Sequence, residues 1–435
     1  MIRRLKTLIP DQHPLRLGWH HAKAFAAALR YGFPARKLTV IGITGTDGKT
    51  TTVGMTAHIL QEAGKKTGAL STAFFQIGEE IEWNATQKTS PSPFAIQAFL
   101  KRLTNEGCTH AVIEYSSHGL VQGRTDWTWP KVAAITNTTP EHLDYHGTME
   151  EYRRAKGLLF KMLGGKGSKV LNAQDNTYAL YKRIPSSRTC SYGTDGAEDD
   201  LVFKAHDIDA SPERTVTKLL CKRKGQADLE TTLTLKILGA FNVDNALCAL
   251  ACAMEAGCTL EQGLAALQSF PGIPGRMERI DEGQPFSVFL DFTVTPASYE
   301  HTLGTLNYMA ETLGSRVLVL MGSCGDRMKE KRPLIGKIAS KLADVVVVTN
   351  EDPYTEDPEK IIDEVWAGVD KHYTEAHRIS DRREAIAFLL SKAQPKDIVI
   401  LCGKGSDTTM WVKEGQIPWN EREIVRDLLR AMKRS

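Results

Sequence analysis

The stretch LTVIGITGTDGKTT at residues 38–51 carries the clearest structural signal in this chain, because it joins a β-branched run to a glycine-rich turn. A helical pattern over Val53–Glu62 follows directly. Strand, loop and helix in this order predict a phosphate loop, in which backbone N–H groups and the helix N-terminus hold phosphate oxygens. Lys49 would reach the β- and γ-phosphates, and the Thr50 hydroxyl would ligate Mg²⁺. Ile43 occupies the first glycine position of the standard pattern, and the alternative interpretation is a glycine turn with a solvated lysine.

Short β-branched runs alternate with helical patterns along most of the chain. Runs of this kind predict parallel sheets covered by helices on both faces, so the expected fold class is α/β. The first series, which would build a phosphate-loop domain with a mostly parallel sheet, comprises Leu38–Thr44, His110–Tyr115, Val132–Thr136 and Lys169–Asn172. The second series, which would build a C-terminal Rossmann-like domain, comprises Phe286–Phe292, Arg316–Met321, Ala343–Thr349 and Asp397–Cys402.

Two further features suggest how these domains are bounded. Polar alternation at Thr215–Lys218 and Thr231–Lys236 predicts antiparallel strands added to the first sheet. Pro271–Gly275 is the candidate hinge, because two prolines and two glycines end a helix and prevent another. We therefore expect a short N-terminal segment (1–37), a central nucleotide-binding domain (38–275) and a C-terminal domain (276–435).

The composition excludes several functional classes. The net charge of the 435 residues is only +3, and no dense basic tract is present, so nucleic-acid binding is not expected. No apolar run approaches the roughly 20 residues that span a bilayer, and the N-terminus lacks the apolar core of a signal peptide. The eight cysteines are scattered, and Cys248 and Cys252 read as buried thiols. These features predict a cytoplasmic protein without a structural metal, and we expect a monomer.

Three side chains that could take part in catalysis or metal binding follow the predicted strands. Glu114 ends one strand and His142 follows the next, at the edge where α/β sheets bind ligands. Lys156 lies in a helix that Thr148–Glu151 opens as a capping box. Taken singly, these residues read as an ion-pair partner, a loop histidine and a solvated lysine. Their shared location beside the phosphate loop favours a second Mg²⁺ beyond the one on Thr50.

From about Lys37 to near its C-terminus the sequence resembles the Mur ligase family, and within it the muramoyl-tripeptide synthetase branch. The matching segments are Gly45–Thr51 (the ATP loop), Tyr152–Lys156 (whose lysine the family carbamylates), Leu238–Asn245 (the adenine side) and Gly275–Glu278 (the arginine motif). The resemblance implies ATP contacts from Gly45, Thr46, Asp47, Gly48, Lys49, Thr50, Thr51, Asn242, Asn245, Arg276 and Asp291. It implies magnesium ligands at Thr50, Glu114, His142 and carbamylated Lys156. It implies catalytic roles for Lys49, Glu114, His142, Lys156 and Arg276. An unmodified ammonium beside Mg²⁺ would be repelled, which agrees with the carbamate.

The substrate segments are also similar to this branch. Ser116–Arg124 and His142–Thr148 resemble its site for a UDP-muramoyl dipeptide, and Gly325–Arg327 with Lys331–Pro333 resembles its amino-acid site. The implied contacts with the sugar–peptide are Thr89, Ser90, Ser116, Gln122 and Arg124. The implied contacts with the amino acid are Arg327, Glu351, Asp352, Pro353, Tyr354, Gly403 and Asp407. Arg327 would bind the carboxylate of the incoming amino acid, because a guanidinium holds a carboxylate with two parallel hydrogen bonds.

The sequence departs from the family in four places. Only about 35 residues precede the first strand, so the domain that grips the uridine diphosphate is expected to be missing or vestigial. Glu351–Tyr354 reads Glu-Asp-Pro-Tyr where diaminopimelate enzymes usually have Asp-Asn-Pro-Arg. The lost arginine disfavours meso-diaminopimelate and leaves lysine, ornithine or a smaller amino acid open. Asp291–Val294 replaces Asp-Tyr-Ala-His, and Asp407 replaces a glutamate.

The resemblance therefore implies an ATP-dependent, Mg²⁺-requiring ligase of cell-wall peptide synthesis. A muramoyl-peptide-like carboxylate would be activated as an acyl phosphate and coupled to an amino acid. One alternative is a folylpolyglutamate-synthetase-like ligase, which also lacks a UDP-binding domain. Others are a nucleotide-binding Mur-like protein without catalysis, and a phosphate-loop NTPase that hydrolyses ATP without an acceptor amine.

Overall fold

The computed structural model of the protein describes residues 13–84, 86, 88–193, 198–210, 214–239 and 241–433. Its α-helices are Pro14–Arg30, Lys49–Glu62, Pro93–Asn105, Ser117–Val121, Leu143–His146, Met149–Lys161, Tyr178–Lys182, Phe241–Glu255, Leu260–Ser269, Pro296–Leu313, Lys331–Leu342, Pro358–Trp366, Arg382–Lys392 and Glu421–Met432, and a 3₁₀ turn spans Pro34–Lys37. Residues 1–12 of the expected N-terminal segment, Ala240 of the adenine-side segment, and residues 434–435 lie outside the described residues.

The strands fall into two large sheets and one hairpin. The first sheet is built from β1 (Thr39–Thr44), β2 (Thr67–Leu70), β3 (Phe74–Ile77), β4 (Glu80–Trp83), β5 (His110–Glu114), β6 (Val132–Ile135), β7 (Ser168–Asn172), β8 (Arg188–Gly193), β9 (Leu201–Ala210), β10 (Thr215–Arg223) and β11 (Leu229–Leu235). The second sheet is built from β12 (Glu278–Ile280), β13 (Ser287–Asp291), β14 (Val317–Met321), β15 (Val345–Val348), β16 (Glu375–Arg378) and β17 (Ile398–Cys402). The hairpin joins β18 (Thr409–Val412) to β19 (Gly415–Pro418).

The first sheet has the order β11-β10-β9-β8-β7-β6-β1-β5-β2-β3-β4. Its centre, from β9 to β2, is parallel, and β3, β4, β10 and β11 are antiparallel additions at the two ends. The predicted parallel strands and the predicted antiparallel extension are therefore confirmed. The strands β2–β4 were not predicted, because each has only four residues, and Glu80–Trp83 is exposed along its whole length.

The second sheet has the order β12-β13-β17-β14-β15-β16 and is parallel except at β12. Buried residues of β14 and β15 face helices on both sides of the sheet, which is why these strands read as continuous apolar runs. The predicted α/β class, with a phosphate-loop sheet followed by a Rossmann-like sheet, is thus confirmed. The first sheet ends at β11 and the second begins at Glu278.

The strand register places the site. β1 lies between β5 and β6, with Ile43 opposite Glu114 and Thr44 opposite Ile135. Because parallel strands end at the same edge of a sheet, the phosphate loop, Glu114 and the segment after β6 come together. One local prediction was wrong: Thr148 accepts the Glu151 N–H, but the Glu151 carboxylate pairs with Arg154 instead of completing the capping box.

The cysteines have the buried environment that the sequence predicts for Cys248 and Cys252. All eight cysteines are free, and Cys248 and Cys252 are completely buried in the Phe241–Glu255 helix. Within the described part of the chain, no helix is both long enough and apolar enough to cross a membrane.

Candidate active site

A cleft of about 870 Å³ lies where the two sheets meet and is lined by side chains from both. The sequence-predicted residues that line it are Thr46, Asp47, Gly48, Lys49, Thr50, Thr51, Thr89, Glu114, His142, Asn242, Asn245, Arg276, Asp291, Arg327, Glu351, Asp352, Tyr354, Gly403 and Asp407. The predicted residues outside its lining are Gly45, Ser90, Ser116, Gln122, Arg124, Lys156 and Pro353. Most of the predicted ATP and amino-acid contacts therefore share one cavity.

The phosphate loop runs from the end of β1 into the Lys49–Glu62 helix. Gly48 has a φ of +80°, and a Cβ at this position would lie 2.2 Å from Oδ1 of Asn245. Any other residue at position 48 would have a strained backbone, and its side chain would displace Asn245, so only glycine fits. Asn245 also accepts a hydrogen bond from Thr52 Oγ1 (3.3 Å) and donates one to Asn242 Oδ1 (3.0 Å). The predicted adenine-side segment thus supports the loop directly.

Lys49, Thr50 and Glu114 form the charged centre of the loop region. Lys49 Nζ donates to the carbonyl oxygen of Thr46 (2.6 Å), which holds the ammonium over the loop. Thr50 Oγ1 donates to Glu114 Oε2 (3.0 Å). Glu114 is buried, and it also accepts from the backbone N–H (2.8 Å) and the hydroxyl (2.9 Å) of Thr72. A buried carboxylate held by neutral donors keeps its charge available for a cation.

His142 lies at the N-terminal end of the Leu143–His146 helix with a φ of +56°. Such backbone strain in a non-glycine residue is concentrated at functional sites. Burial lowers the pKa of His142 well below 6.5, and the neighbouring His118 and Lys156 lower it further. The imidazole is therefore neutral at pH 7, the form that binds metals.

Lys156 lies under the phosphate loop. Its side chain is 1% exposed, and Nζ donates to the carbonyl oxygen of Gly45 (2.5 Å) while lying 4.3 Å from the ring centroid of Tyr152. Burial, and then the charge of Lys49, lower the pKa of Lys156 well below 10.5. The lowered pKa favours the uncharged, nucleophilic amine relative to a solvated lysine.

Arg276 and Asp291 bring the second sheet to the part of the cleft where ATP contacts are predicted. The Arg276 guanidinium lies 4.4 Å from the ring centroid of Phe292. Asp291 Oδ2 accepts the backbone N–H of Met277 (2.7 Å), and Oδ1 accepts from Thr293 Oγ1. Phe292, which replaces the expected tyrosine, packs on the arginine, and Thr293 orients the aspartate. Val294, which replaces the expected histidine, lines the cleft.

The predicted sugar–peptide residues form a connected polar group beside the cleft. Ser116 Oγ donates to Ser90 Oγ (3.1 Å), and Arg124 Nη1 donates to the Ser90 carbonyl (2.9 Å). Arg124 Nε also donates to Gln122 Oε1 (2.9 Å). All of these acceptors are neutral, so they leave the positive charge of Arg124 uncompensated. Thr89 Oγ1 lies within hydrogen-bond distance of Thr72 Oγ1 (2.9 Å), which links this group to Glu114.

The predicted amino-acid residues gather at the carboxyl ends of β14, β15 and β17. The Arg327 guanidinium lies 5.1 Å from the centroid of the Tyr354 ring, which stacks on Trp411 at 5.5 Å. Glu351 Oε1 accepts from Cys324 Sγ (2.9 Å). Burial raises the pKa of Asp407 to about 6, although Lys404 opposes the shift.

Lys404 forms ion pairs with two of these acids. Its buried Nζ lies 2.9 Å from both carboxylate oxygens of Asp352 and 3.2 Å from Asp407. Asp352 also accepts the backbone N–H of Trp411 (2.8 Å), so the pocket wall and the hairpin are tied together. Pro353 is buried between Asp352 and Tyr354 and keeps this loop rigid.

Two comparisons with known sequences decide the family. The Mur ligase middle domain matches residues 43–253, and the Mur ligase glutamate ligase domain matches residues 275–405. The chain is 38% identical over 411 residues to UDP-N-acetylmuramoyl-L-alanyl-D-glutamate–2,6-diaminopimelate ligase of Geobacillus kaustophilus, covering 93% of this chain and 81% of the relative. The chain belongs to the Mur ligase family. It is accordingly an ATP-dependent, ADP-forming ligase.

Other relatives agree with this assignment. UDP-N-acetylmuramyl-tripeptide synthetase of Roseiflexus sp. is 38% identical over 422 residues, covering 94% of this Mur ligase and 82% of the relative. A solved structure of a UDP-N-acetylmuramoyl-L-alanyl-D-glutamate–2,6-diaminopimelate ligase superposes with a TM-score of 0.61 at 29% identity, covering 91% of this chain and 79% of that one. E. coli FolC in complex with DHPP and ADP has a TM-score of 0.68 at 17% identity, covering 95% and 93% of the two chains, and shares the fold.

Several residues of this Mur ligase site were not singled out from the sequence. Thr72 holds Glu114 but lies in a turn between strands that were not predicted. Lys331 Nζ pairs with Glu141 Oε1 (3.4 Å), and Thr295 Oγ1 donates to the Asp47 carboxylate (3.3 Å); both contacts join the two sheets. Glu141 and Lys331 each lie in a segment that the sequence singled out, but their contact between the two sheets was not predicted.

The donor set of this Mur ligase fits a nucleotide-bound Mg²⁺. Glu114 and the Thr50 hydroxyl offer oxygen ligands, and Mg²⁺ typically takes one or two carboxylates together with substrate phosphates and waters. In the described ranges, no group of three or more His, Cys, Asp or Glu side chains is arranged to hold a metal. The ion would therefore be held jointly by these residues and the ATP phosphates.

Proposed function

We propose that this Mur ligase joins an amino acid to the carboxylate of a muramoyl-peptide-like substrate in the cytoplasm, using ATP and Mg²⁺, as a step in cell-wall peptide synthesis. The observation that carries the proposal is one continuous cleft that holds Lys49 and Glu114 of the first sheet together with Arg327 and Tyr354 of the second. The relatives that share most of this chain's length are named as tripeptide-forming ligases, which agrees with it.

The proposed reaction is a phosphoryl transfer followed by an acyl transfer, and positively charged side chains in the cleft stabilise both steps. The substrate carboxylate attacks the γ-phosphorus in line and ADP leaves; Lys49 stabilises the charge that spreads over the transferred oxygens. Mg²⁺, when bound, supplies further charge neutralisation at the β- and γ-oxygens. The neutral amino group then attacks the acyl phosphate, inorganic phosphate leaves, and the nitrogen loses a proton to give the amide. Arg276 lines the same cavity and would stabilise the developing oxyanion.

The sugar–peptide would lie along Ser116, Gln122 and Arg124. Arg124 is partly buried and its hydrogen bonds go to neutral acceptors, so an anionic group of the substrate would complete its environment. Thr89 connects this surface to Glu114 through Thr72, which brings the reacting carboxylate towards the phosphate loop.

The charges at the amino-acid side favour a substrate with one carboxylate. The arginine and lysine side chains of the second sheet that line the cleft are Arg276, Arg327 and Lys331. Arg276 packs on Phe292 and Lys331 pairs with Glu141, which leaves Arg327 for the α-carboxylate. A second carboxylate would face Tyr354 and acidic side chains. Lysine or ornithine fits better, since an ammonium is attracted by acids and by aromatic faces.

ADP release by the purified protein tests the proposal. ATP, Mg²⁺ and UDP-N-acetylmuramoyl-L-alanyl-D-glutamate would be supplied with lysine, ornithine, alanine, glycine or meso-diaminopimelate, and the product mass determined. We expect lysine or ornithine to support turnover and the other amino acids to be poor substrates. Tyr354→Arg is expected to shift the preference towards meso-diaminopimelate, because it adds a guanidinium for the distal carboxylate.

Control variants and an alternative carrier distinguish the proposed reaction from the competing ones. Lys49→Met should abolish turnover, whereas Lys101→Met, on an exposed part of the Pro93–Asn105 helix, should leave it unchanged. Turnover with a folate carrier and glutamate but not with the muramoyl dipeptide would replace the proposal with a folylpolyglutamate-type reaction. ATP binding without ADP release under any condition would contradict a catalytic role.

A further inference from the structure

Two loops of the second sheet form the wall that carries Arg327. The first loop, Cys324–Arg327, follows β14, and the second, Glu351–Glu356, follows β15. Each loop has a non-glycine residue in the left-handed region: Asp326 with a φ of +52° and Tyr354 with a φ of +51°. This conformation is unfavourable for a residue with a side chain, so the surrounding structure has to hold it.

Arg332, on the Lys331–Leu342 helix, contacts both loops and the Pro358–Trp366 helix that follows the second loop. Its side chain is completely buried, and Nη2 donates to the carbonyl oxygen of Cys324 (3.0 Å) and to Glu356 Oε1 (3.0 Å). Nη1 donates to Glu356 Oε2 (3.1 Å) and to Glu364 Oε2 (2.6 Å). The contact with Glu356 is therefore bidentate, the strongest geometry available to an arginine.

Glu356 is the second half of this connection. Its Oε1 accepts the backbone N–H of Asp326 (2.7 Å), and Lys329 lies 3.0 Å from its Oε2. The hydrogen bond from Arg332 lowers the pKa of Glu356 to about 2, so the carboxylate stays charged throughout the working range of pH. One carboxylate thus fixes the peptide that precedes Arg327.

Direct contacts between the loops leave little room for adjustment. The Gly325 N–H donates to the Asp352 carbonyl (2.8 Å), and a Cβ on Gly325 would lie 1.9 Å from the Pro353 carbonyl oxygen. Asp326 Oδ1 accepts from Thr355 Oγ1 (2.8 Å). Because the backbones are this close, a shift of one loop moves the other.

We propose that Arg332 and Glu356 are positioning residues for amino-acid binding: their ion pair fixes the Asp326 peptide and so aims Arg327 at the carboxylate of the incoming amino acid. The inference rests on the proposed function, which assigns that carboxylate to Arg327. Neither residue lines the cleft, so both act through the loop and not by touching substrate.

Glu356→Gln is the primary test. The amide keeps an oxygen for the Asp326 N–H but loses the charged, bidentate contact with Arg332. We expect the KM for the amino acid to rise about tenfold, which corresponds to about 1.4 kcal/mol, while the KM for ATP changes by less than twofold. Arg332→Lys should have a similar effect, because an ammonium cannot reproduce the fork. Glu364→Gln is the matched control: it removes another partner of Arg332 that does not contact either loop, and should leave the KM for the amino acid within twofold.

A double-mutant cycle separates positioning from general destabilisation. In an Arg327→Ala background, Glu356→Gln should have no further effect on the KM for the amino acid, because the group it aims is absent. Additive effects, an equal rise in the KM for ATP, or a fall in kcat alone would overturn the proposal.

Amide hydrogen exchange tests the same idea without turnover. If the wild-type protein releases no ADP with any amino acid, the proposed function fails, and exchange decides the inference by itself. Positioning predicts at least tenfold faster exchange at the Asp326 amide in Glu356→Gln but not in Glu364→Gln. Unchanged exchange at Asp326 in Glu356→Gln would overturn the inference.

Discussion

Lys156 of the first sheet's domain and Lys404 of the second are both completely buried, yet they have opposite surroundings. Lys404 faces two carboxylates, those of Asp352 and Asp407. Lys156 donates to one carbonyl oxygen, that of Gly45, and lies over the ring of Tyr152. Two carboxylates stabilise a positive charge far more strongly than one carbonyl oxygen and an aromatic ring do.

The pKa values follow from this difference. Burial alone lowers the pKa of both lysines, but Asp407 and Asp352 outweigh it at Lys404 and raise its pKa above 10.5. At Lys156, burial and the charge of Lys49 act together and lower the pKa. Lys404 is therefore a charge paired with Asp352 and Asp407 at the predicted amino-acid site. At Lys156, next to the phosphate loop, the lowered pKa favours the uncharged amine that a reaction with CO₂ requires.

Replacing Lys156 should have the largest effect on activity. In Lys156→Ala we expect amino-acid-dependent ADP release to fall roughly 10²–10³-fold, the scale seen when one charge-stabilising group is removed from an active site. Bicarbonate or a small carboxylate should restore part of the rate. Lys161→Ala, an exposed lysine of the same helix, is the control and should retain wild-type activity. Full activity in the Lys156→Ala variant would contradict the carbamate role.

Replacing Lys404 should instead have the largest effect on stability. Lys404→Met leaves two buried carboxylates without their cation, and breaking a buried ion pair in this way costs about 3–5 kcal/mol. Urea unfolding would measure the loss in the free energy of unfolding. Adding Asp352→Asn and Asp407→Asn should recover most of it, because the uncompensated charges are then removed. A single variant as stable as the wild type would show that the ion pairs contribute little.

A third buried lysine, Lys169, tests whether burial alone makes a lysine essential for activity. Lys169 on β7 donates to the carbonyl oxygens of Tyr181 (3.1 Å), Lys182 (2.7 Å) and Ile184. We expect Lys169→Met to cost about 1–3 kcal/mol in the free energy of unfolding, since these buried acceptors lose their donor. ADP release per folded molecule should not change. A loss of activity comparable with that of Lys156→Ala would mean that fold integrity, and not the amine at the loop, explains both variants.

The fold could be predicted from the sequence wherever a strand is buried on both faces. β1 begins within one residue of its expected start, because Val40, Ile41 and Ile43 are completely buried and no polar residue interrupts them. The strand β4 was missed for the opposite reason. Glu80–Trp83 is an exposed edge strand stabilised by pairing with β3, and its Glu-Ile-Glu-Trp alternation covers only four residues, too few for a clear signal.

The sequence predicted the parts of the site that lie within a single domain. The rule that ligands bind at the carboxyl ends of strands was enough to place Glu114 and His142 beside the phosphate loop. It could not place Lys156 under Gly45, because that contact depends on how a helix packs on the sheet. The contact of Lys331 with Glu141 was less accessible still, since it depends on how two domains meet.

The smallest expected effect concerns the acid that Lys404 leaves incompletely neutralised. One lysine faces two carboxylates, and burial raises the folded-state pKa of Asp407 to about 6, from an ordinary 3.8. Between pH 4 and 6 the folded state therefore binds a proton that the unfolded state has lost. Asp407 contributes stability below pH 4, and that contribution is lost as the pH rises through 6, with a slope of at most about 1.4 kcal/mol per pH unit.

Asp407→Asn should remove this slope, which urea unfolding at half-unit steps between pH 4 and 7 would detect as a flatter dependence of the free energy of unfolding on pH. Asp427→Asn, on an exposed turn of the last helix, is the control and should keep the wild-type slope. If both variants retain it, another buried acid is responsible. Asp244 is then the next residue to replace, because burial raises its pKa to about 6 as well, although His301 across the cleft opposes the shift. The pH dependence of stability would in that case report on the ATP side of the cleft and not on the Lys404 pocket.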